Sequence, residues 1–251
     1  MDKKQEHELA EQFLKGMVNL RNLTLKSKPH IKKYLKVRET HNEICQSMLD
    51  YFLSGKYDFK EELKKATSSI LKELNNNISK FNIEFDANTV RGRSILAEYV
   101  INKNHSEITS ITEIYIKKKR YTNEDKVKML KAMNKSYVGL FKVISTDVNE
   151  AYLEIEDVFT KERFKIIDIA GSIDDKIAKN AYYYNRIITV DDISFGTGIH
   201  IIFNKDFKGI NNYIKNNKKK KSSDIVRLMS LDSLCKSPDN KAIFHENSIF
   251  K

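Results

Sequence analysis

Residues 136–167 read SYVGLFKVISTDVNEAYLEIEDVFTKERFKII, and the fold turns on this stretch. Val138 and Leu140, then Phe141 and Val143, make a strand-like run, and Asp147-Val148-Asn149 is a turn. Tyr152-Leu153-Glu154-Ile155-Glu156 alternates as a half-buried strand does, because successive side chains point to opposite faces of a sheet. Phe164-Lys165-Ile166-Ile167-Asp168 repeats the pattern and is stopped by Gly171. Tyr182–Val190 and Ser194–Phe203 continue the series, with Asp191-Asp192 and Gly196-Thr197-Gly198 as turn signals. Short strands in this succession predict a small, mostly antiparallel, barrel-like β domain over 136–204, closed or partly open.

Upstream the period changes to that of helices. Leu9, Phe13, Met17 and Leu20 form one stripe, and Pro29 breaks it because proline disfavours α geometry at the residue before it. Ile31, Leu35, Ile44, Met48 and Phe52 form a second stripe, with Gly55 as its left-handed end. Leu63, Ile70, Leu71, Leu74 and Ile78 give a third after Asp58, which has Glu61 three residues on as in a capping box. A short helix is expected from Ile95 to Val100. Residues 107–118 fit helix or strand, and helix is preferred because Asn123-Glu124-Asp125 then opens another carrying Val127, Leu130 and Met133. Downstream, a short helix is expected around Phe207–Ile214 and a last amphipathic turn or two around Ile225–Leu231. The chain is thus read as α+β: a helical half over 1–135, the β domain over 136–204, and a basic tail over 205–251.

Charge follows these divisions. Lys and Arg outnumber Asp and Glu by 27 to 18 over residues 1–135 and by 11 to 5 over 205–251, whereas over 136–204 the acids lead by 11 to 7. The formal net charge is +11. A basic surface concentrates polyanions through counterion release, so nucleic acid is the first partner to consider. The plain alternative is lysine on solvated faces, written by an AT-rich genome. Two cysteines, Cys45 and Cys235, stand far apart with no C-x-x-C pair, which argues against a disulfide framework or a zinc module. No apolar run reaches membrane-spanning length and the first residues lack the apolar core of a signal peptide, so the expected location is the cytoplasm, with no membrane partner.

Catalytic motifs are missing. His7, His30, His41, His105, His200 and His245 form no H-x-H or H-E-x-x-H spacing, and no phosphate loop, dinucleotide fingerprint or nucleophile elbow occurs. No cofactor or metal is expected. Glu154 and Glu156 share one strand face and could hold a cation or act as an acid/base pair, but charges on a solvated strand face read the same way. Lys117-Lys118-Lys119-Arg120-Tyr121 and Lys218-Lys219-Lys220-Lys221 are the best nucleic-acid candidates, with Tyr121 and Tyr213 available for base stacking. Arg91-Gly92-Arg93 precedes a helix start, where it would suit an anion or tie the helical half to the acidic block.

Arg91-Gly92-Arg93-Ser94, Ser136-Tyr137-x-x-Leu140-Phe141-x-Val143 and Asp157-Val158-x-Thr160-x-Glu162-x-Phe164 resemble stretches of a group of bacterial and phage proteins. These have a helical region and a small β domain, and many add a SEC-C zinc module. The resemblance implies the architecture and no activity, and the zinc module has no cysteine cluster to match it here. The expected function is that of a non-catalytic binding protein, of phage or mobile-element origin, contacting nucleic acid through its basic helical and tail surfaces. A module that binds or inhibits a partner protein is the first alternative. A metal-assisted hydrolase or nuclease using Glu154 and Glu156 is the second.

Overall fold

The computed structural model describes residues 25–53, 68, 71–73, 75–76, 111–118, 121–172, 179–203, 208–218, 224–235 and 243–246. The expected helix before Leu25 and that over 95–100 lie outside them, as does most of the third stripe.

Helix α1 spans Pro29–Leu53. Pro29 sits in its first turn, where a missing N–H costs nothing. Its buried stripe runs through Ile31, His41, Ile44 and Met48, with Tyr34 and Val37 packed beside them. Leu35 does not belong to that stripe. At 3.6 residues per turn it falls about 120° round the helix from His41, and it is 36% exposed. Helix α2 covers Ile111–Lys118, with Thr112 and Tyr115 buried, so the ambiguous segment is helical. Helix α3 covers Glu124–Asn134 and is opened by Asn123, whose side chain accepts from the Lys126 amide at 3.1 Å. This satisfies one of the donors that every helix start leaves open.

The strands are β1 (Tyr137–Asp147), β2 (Tyr152–Asp157), β3 (Arg163–Ile167), β4 (Tyr182–Val190) and β5 (Ile193–Phe203). They come where the alternation puts them. A sixth, β6 (Ile243–Glu246), comes from the tail, after helices α4 (Lys208–Asn217) and α5 (Asp224–Cys235). The sheet runs β3-β2-β1-β4-β5-β6, antiparallel throughout. The barrel-like expectation is therefore corrected to an open sheet. Closure would require β3 to pair with the outer edge of β5, and β6 occupies that edge instead, pairing Ile199 with Glu246 through Ile202 with Ile243. The sheet still curls enough to bring β3 near β5. Ladder irregularities at Val143/Ser145 and Tyr184/Arg186 add to the bend, since a bulge increases local twist.

Both sheet faces are apolar. Leu140, Tyr184, Ile188, Phe195, Ile201 and Phe203 join the stripes of α1, α3, α4 and α5 in one cluster. Phe141, Val143, Leu153, Ile155, Ile166, Tyr183, Ile187 and Ile202 form a second cluster, with Tyr137 and Phe164 packed against it.

Polar groups inside this second face are matched to glycines. Gly139 and Asn185 are register partners on β1 and β4. A Cβ at Gly139 would lie 2.5 Å from the buried Asp157 carboxylate, and one at Gly196 would lie 2.2 Å from the Asn185 amide. Asp157 in turn organises the β2–β3 hairpin. Its Oδ1 accepts from the amides of Phe159 at 2.7 Å and Thr160 at 2.8 Å, and Lys161 follows at φ 66°. Asp147 closes the β1–β2 turn in the same manner through the amides of Asn149 and Glu150, both at 3.0 Å. These are side-chain turns that only Asp or Asn forms readily.

Candidate functional site

Helix α1 lies with its cations over the acidic turns of the sheet. Lys28 pairs with Glu150 in the β1–β2 turn, and Lys33 with Asp192 in the β4–β5 turn. His30 Nε2 donates to the Glu150 carbonyl at 3.0 Å, and its ring stacks on Tyr152 at 5.0 Å between centroids. On the α3 side, Lys36 meets Asp125 and Lys126 meets Glu43, each at 2.9 Å. The Lys33 ammonium holds the Asp192 carboxyl below its ordinary range, and Lys36 does the same to Asp125. Exposed pairs of this kind add little stability individually. Their effect is one of placement, since each fixes a different point along α1 against the sheet or α3. Arg38 completes the row, lying over the Phe195 ring at 5.1 Å.

The charges predicted to meet nucleic acid sit elsewhere. Lys117 is exposed in the last turn of α2, and Lys118 is that helix's final residue. Lys119 and Arg120 lie outside the described residues. Lys218 is exposed directly after α4, whose last turn carries Lys215, and Lys219, Lys220 and Lys221 lie outside the described residues. Arg91 and Arg93 do too. Tyr121 is partly buried, and its hydroxyl bonds Tyr115 Oη at 2.5 Å and Ser47 Oγ at 3.3 Å. Tyr213 is buried against the core, and that burial pushes its hydroxyl up to about 12. Both rings are thus committed to packing in this structure.

Glu154 and Glu156 do share a strand face, and both are engaged by cations. Glu156 receives Arg163 Nε at 3.0 Å and Lys161 Nζ at 3.3 Å, and these hold it below the ordinary carboxylate range. Glu154 accepts from Ser145 Oγ at 3.0 Å and lies 3.8 Å from Arg163 Nη1. This face opens on a groove of about 430 Å³ that Tyr152, Phe164 and Lys165 also line, with the Lys165 ammonium 4.0 Å from the Tyr152 centroid. Among the described residues no three His, Cys, Asp or Glu side chains converge as a metal site would require. None of the described helices is long and apolar enough to cross a membrane.

Sequence reasoning found the surplus charge but not the α1 row. Asp192 was visible in a turn and Glu150 directly follows one; their partners stand 120 to 160 positions away, and nothing local connects them.

A family model matches residues 28–229, that of a family of unknown function, DUF7986. The matched range starts at Lys28, the first residue of the cationic row, and takes in the sheet as far as β5. No curated protein and no solved structure matches the chain.

Proposed function

This chain belongs to the DUF7986 family, and we propose that it is a non-catalytic binding protein that contacts nucleic acid through its basic helical and tail surfaces. The observation that carries the proposal is the uneven use of charge. The acidic turns of the sheet are answered at Lys28, directly before α1, and at Lys33 within it. The two lysine runs begin instead at helix C-termini, at Lys117 and at Lys218, both exposed. A helix C-terminus favours cations, so Lys117 and Lys218 stand where their charge is tolerated. With a formal net charge of +11, the surplus has to be neutralised by counterions or by a polyanion.

Salt titration against single- and double-stranded DNA and RNA tests this. Neutralising Lys117–Arg120 to Gln is expected to weaken binding and to flatten the slope of log affinity against log salt by about 3 if all four cations meet phosphates. The Lys218–Lys221 run is expected to behave in the same way. Unchanged affinity and slope in both variants would overturn the proposal. The first sign is available at purification. With 12 tyrosines and no tryptophan, the protein absorbs weakly at 280 nm, so bound nucleic acid raises the 260/280 ratio until high salt removes it.

A partner-protein reading draws on one feature, the exposed Leu35. It stands on α1 among Lys32, Lys36 and Glu39 in an open groove of about 790 Å³. An apolar centre with a charged rim is the layout of protein interfaces. That reading predicts a stable complex that survives salt and is lost in Leu35→Asp.

A further inference from the structure

The outward side of α1 carries a self-complementary pattern. Lys32, Leu35, Lys36, Glu39, Asn42 and Glu43 are all exposed and all line the Leu35 groove. At 3.6 residues per turn they fall within an arc of about 120°. Two of them are committed within the chain, since Lys36 pairs with Asp125 and Glu43 with Lys126. Lys32 and Glu39 are not: among the described residues no ion pair reaches either of them. They stand about 10 Å apart along the helix axis, and the two side chains do not meet. Leu35 lies between them, and among the described residues only Val148 is another large apolar side chain so exposed.

We propose that this face is an interface between two copies of the chain, their α1 helices packed antiparallel about a two-fold axis beside Leu35. The proposal rests on the partner-protein reading of the Leu35 groove and gives that groove its occupant. The midpoint between Lys32 and Glu39 falls between residues 35 and 36, within about 1 Å of Leu35 along the helix. An axis there sets Leu35 against Leu35 of the second copy and Lys32 against Glu39 of the second copy. Symmetry then makes the charged pair twice, once on each side of the leucines. The steps of three, four and three through Lys32, Leu35, Glu39 and Asn42 form a seam along which two helices interdigitate. The alkyl stems of Lys32 and Lys36 extend the apolar cover beside the leucines, and Lys36 and Glu43 keep their partners on α3. A polyanion fits this face less well, because Glu39 and Glu43 would meet its phosphates. One leucine and two charged pairs make a small contact, so the dimer is reversible and concentration-dependent, as transient interfaces are.

The test is sedimentation velocity on the full chain, freed of nucleic acid by high salt and returned to moderate salt. From low to high micromolar concentration the parent is expected to pass from monomer to dimer. Lys32→Glu and Glu39→Lys are each expected to raise the dissociation constant about tenfold, because each puts like charges together on both sides of the axis. The two substitutions move the net charge in opposite directions, so a general repulsion between basic chains would weaken one dimer and strengthen the other. An equimolar mixture of the two variants makes both charged pairs attractive again at the parent's mean charge, and is expected to form a heterodimer of parental affinity. Recovery in the mixture also shows that both variants are folded. A parent dimer indifferent to both substitutions, or a mixture that associates no better than its components, overturns the proposal. A parent that stays monomeric throughout overturns it too. If that monomer still forms a stoichiometric complex with a different protein that Leu35→Asp breaks, the self-pairing fails while the partner-protein reading stands.

Discussion

At the scale of the residue, glycine and buried polar groups set the tolerances of the sheet. The Asn185 side chain lies flat over Gly196, donating to Tyr183 Oη while its Oδ1 accepts from the Arg186 amide at 2.7 Å. A methyl group at 196 would meet that amide at 2.2 Å, and Asn185 is 1% exposed, so the amide has nowhere to go. Gly196→Ala is expected to cost about 2–3 kcal/mol, as overpacking of a tight interior does, and urea denaturation would measure it. A cost under half of that would mean Asn185 can shift without losing its bonds. His41 supplies a pH prediction. Unfolded, its imidazole takes a proton near pH 6.5; folded, it does so only at about 4. The unfolded chain therefore binds more protons between those values, and stability falls as the pH is lowered through that window. The loss approaches about 3 kcal/mol at the acid end. His41→Leu should remove that portion of the acid sensitivity. A variant as acid-labile as the parent would assign the loss to carboxylates such as Glu156 and Asp192, which titrate with the same sign.

At the scale of the element, legibility followed the range of the interactions. Strands β1 to β5 and the existence of α2, α3 and α4 were readable, because alternation, 3.6-residue stripes and turn residues are local signals. Asn123 shows why. Its side chain reaches only to the amide three residues on, and it marked the start of α3. Asn123→Ala is expected to lower stability by about 1 kcal/mol and Asn123→Ser by much less, a difference readable in thermal melts followed at 222 nm. What escaped was non-local. β6 has four residues and no alternation of its own, and it exists because β5, some forty residues earlier, offers an edge. The α1 row escaped for the same reason, although the acidic middle block and basic helical half had announced that the two would attract. Leu35 was placed in the α1 stripe because a step of four from Ile31 looks correct locally. The drift of the stripe over 25 residues shows only when His41 is counted as one of its members. A histidine is seldom scored as core, so the buried His41 hid the phase of the stripe.

At the scale of the whole molecule, the tail that reads as a basic appendage is also what finishes the sheet. α5 packs Leu228, Met229 and Leu231 into the main core, and Arg227 covers the Phe159 ring at 5.1 Å. β6 then pairs with β5 along four residue positions. Without β6, the eleven-residue β5 would present the row Ile199, His200, Ile201 and Ile202 as an edge with unpaired amides and carbonyls. Long apolar edges recruit other strands. Deleting residues 236–251 removes β6 and leaves α5 intact, so the rest of the core stays in place. The shortened chain is expected to self-associate with rising concentration, seen as earlier elution in size-exclusion chromatography than the full chain shows at the same load. His200→Lys in the shortened chain sets a charge on that edge and should reverse the association, because lysine on an edge strand opposes pairing. If the shortened chain elutes as the full chain does at every concentration, β5 is shielded by something other than β6. If His200→Lys leaves the association unchanged, the new contact does not run through the β5 edge.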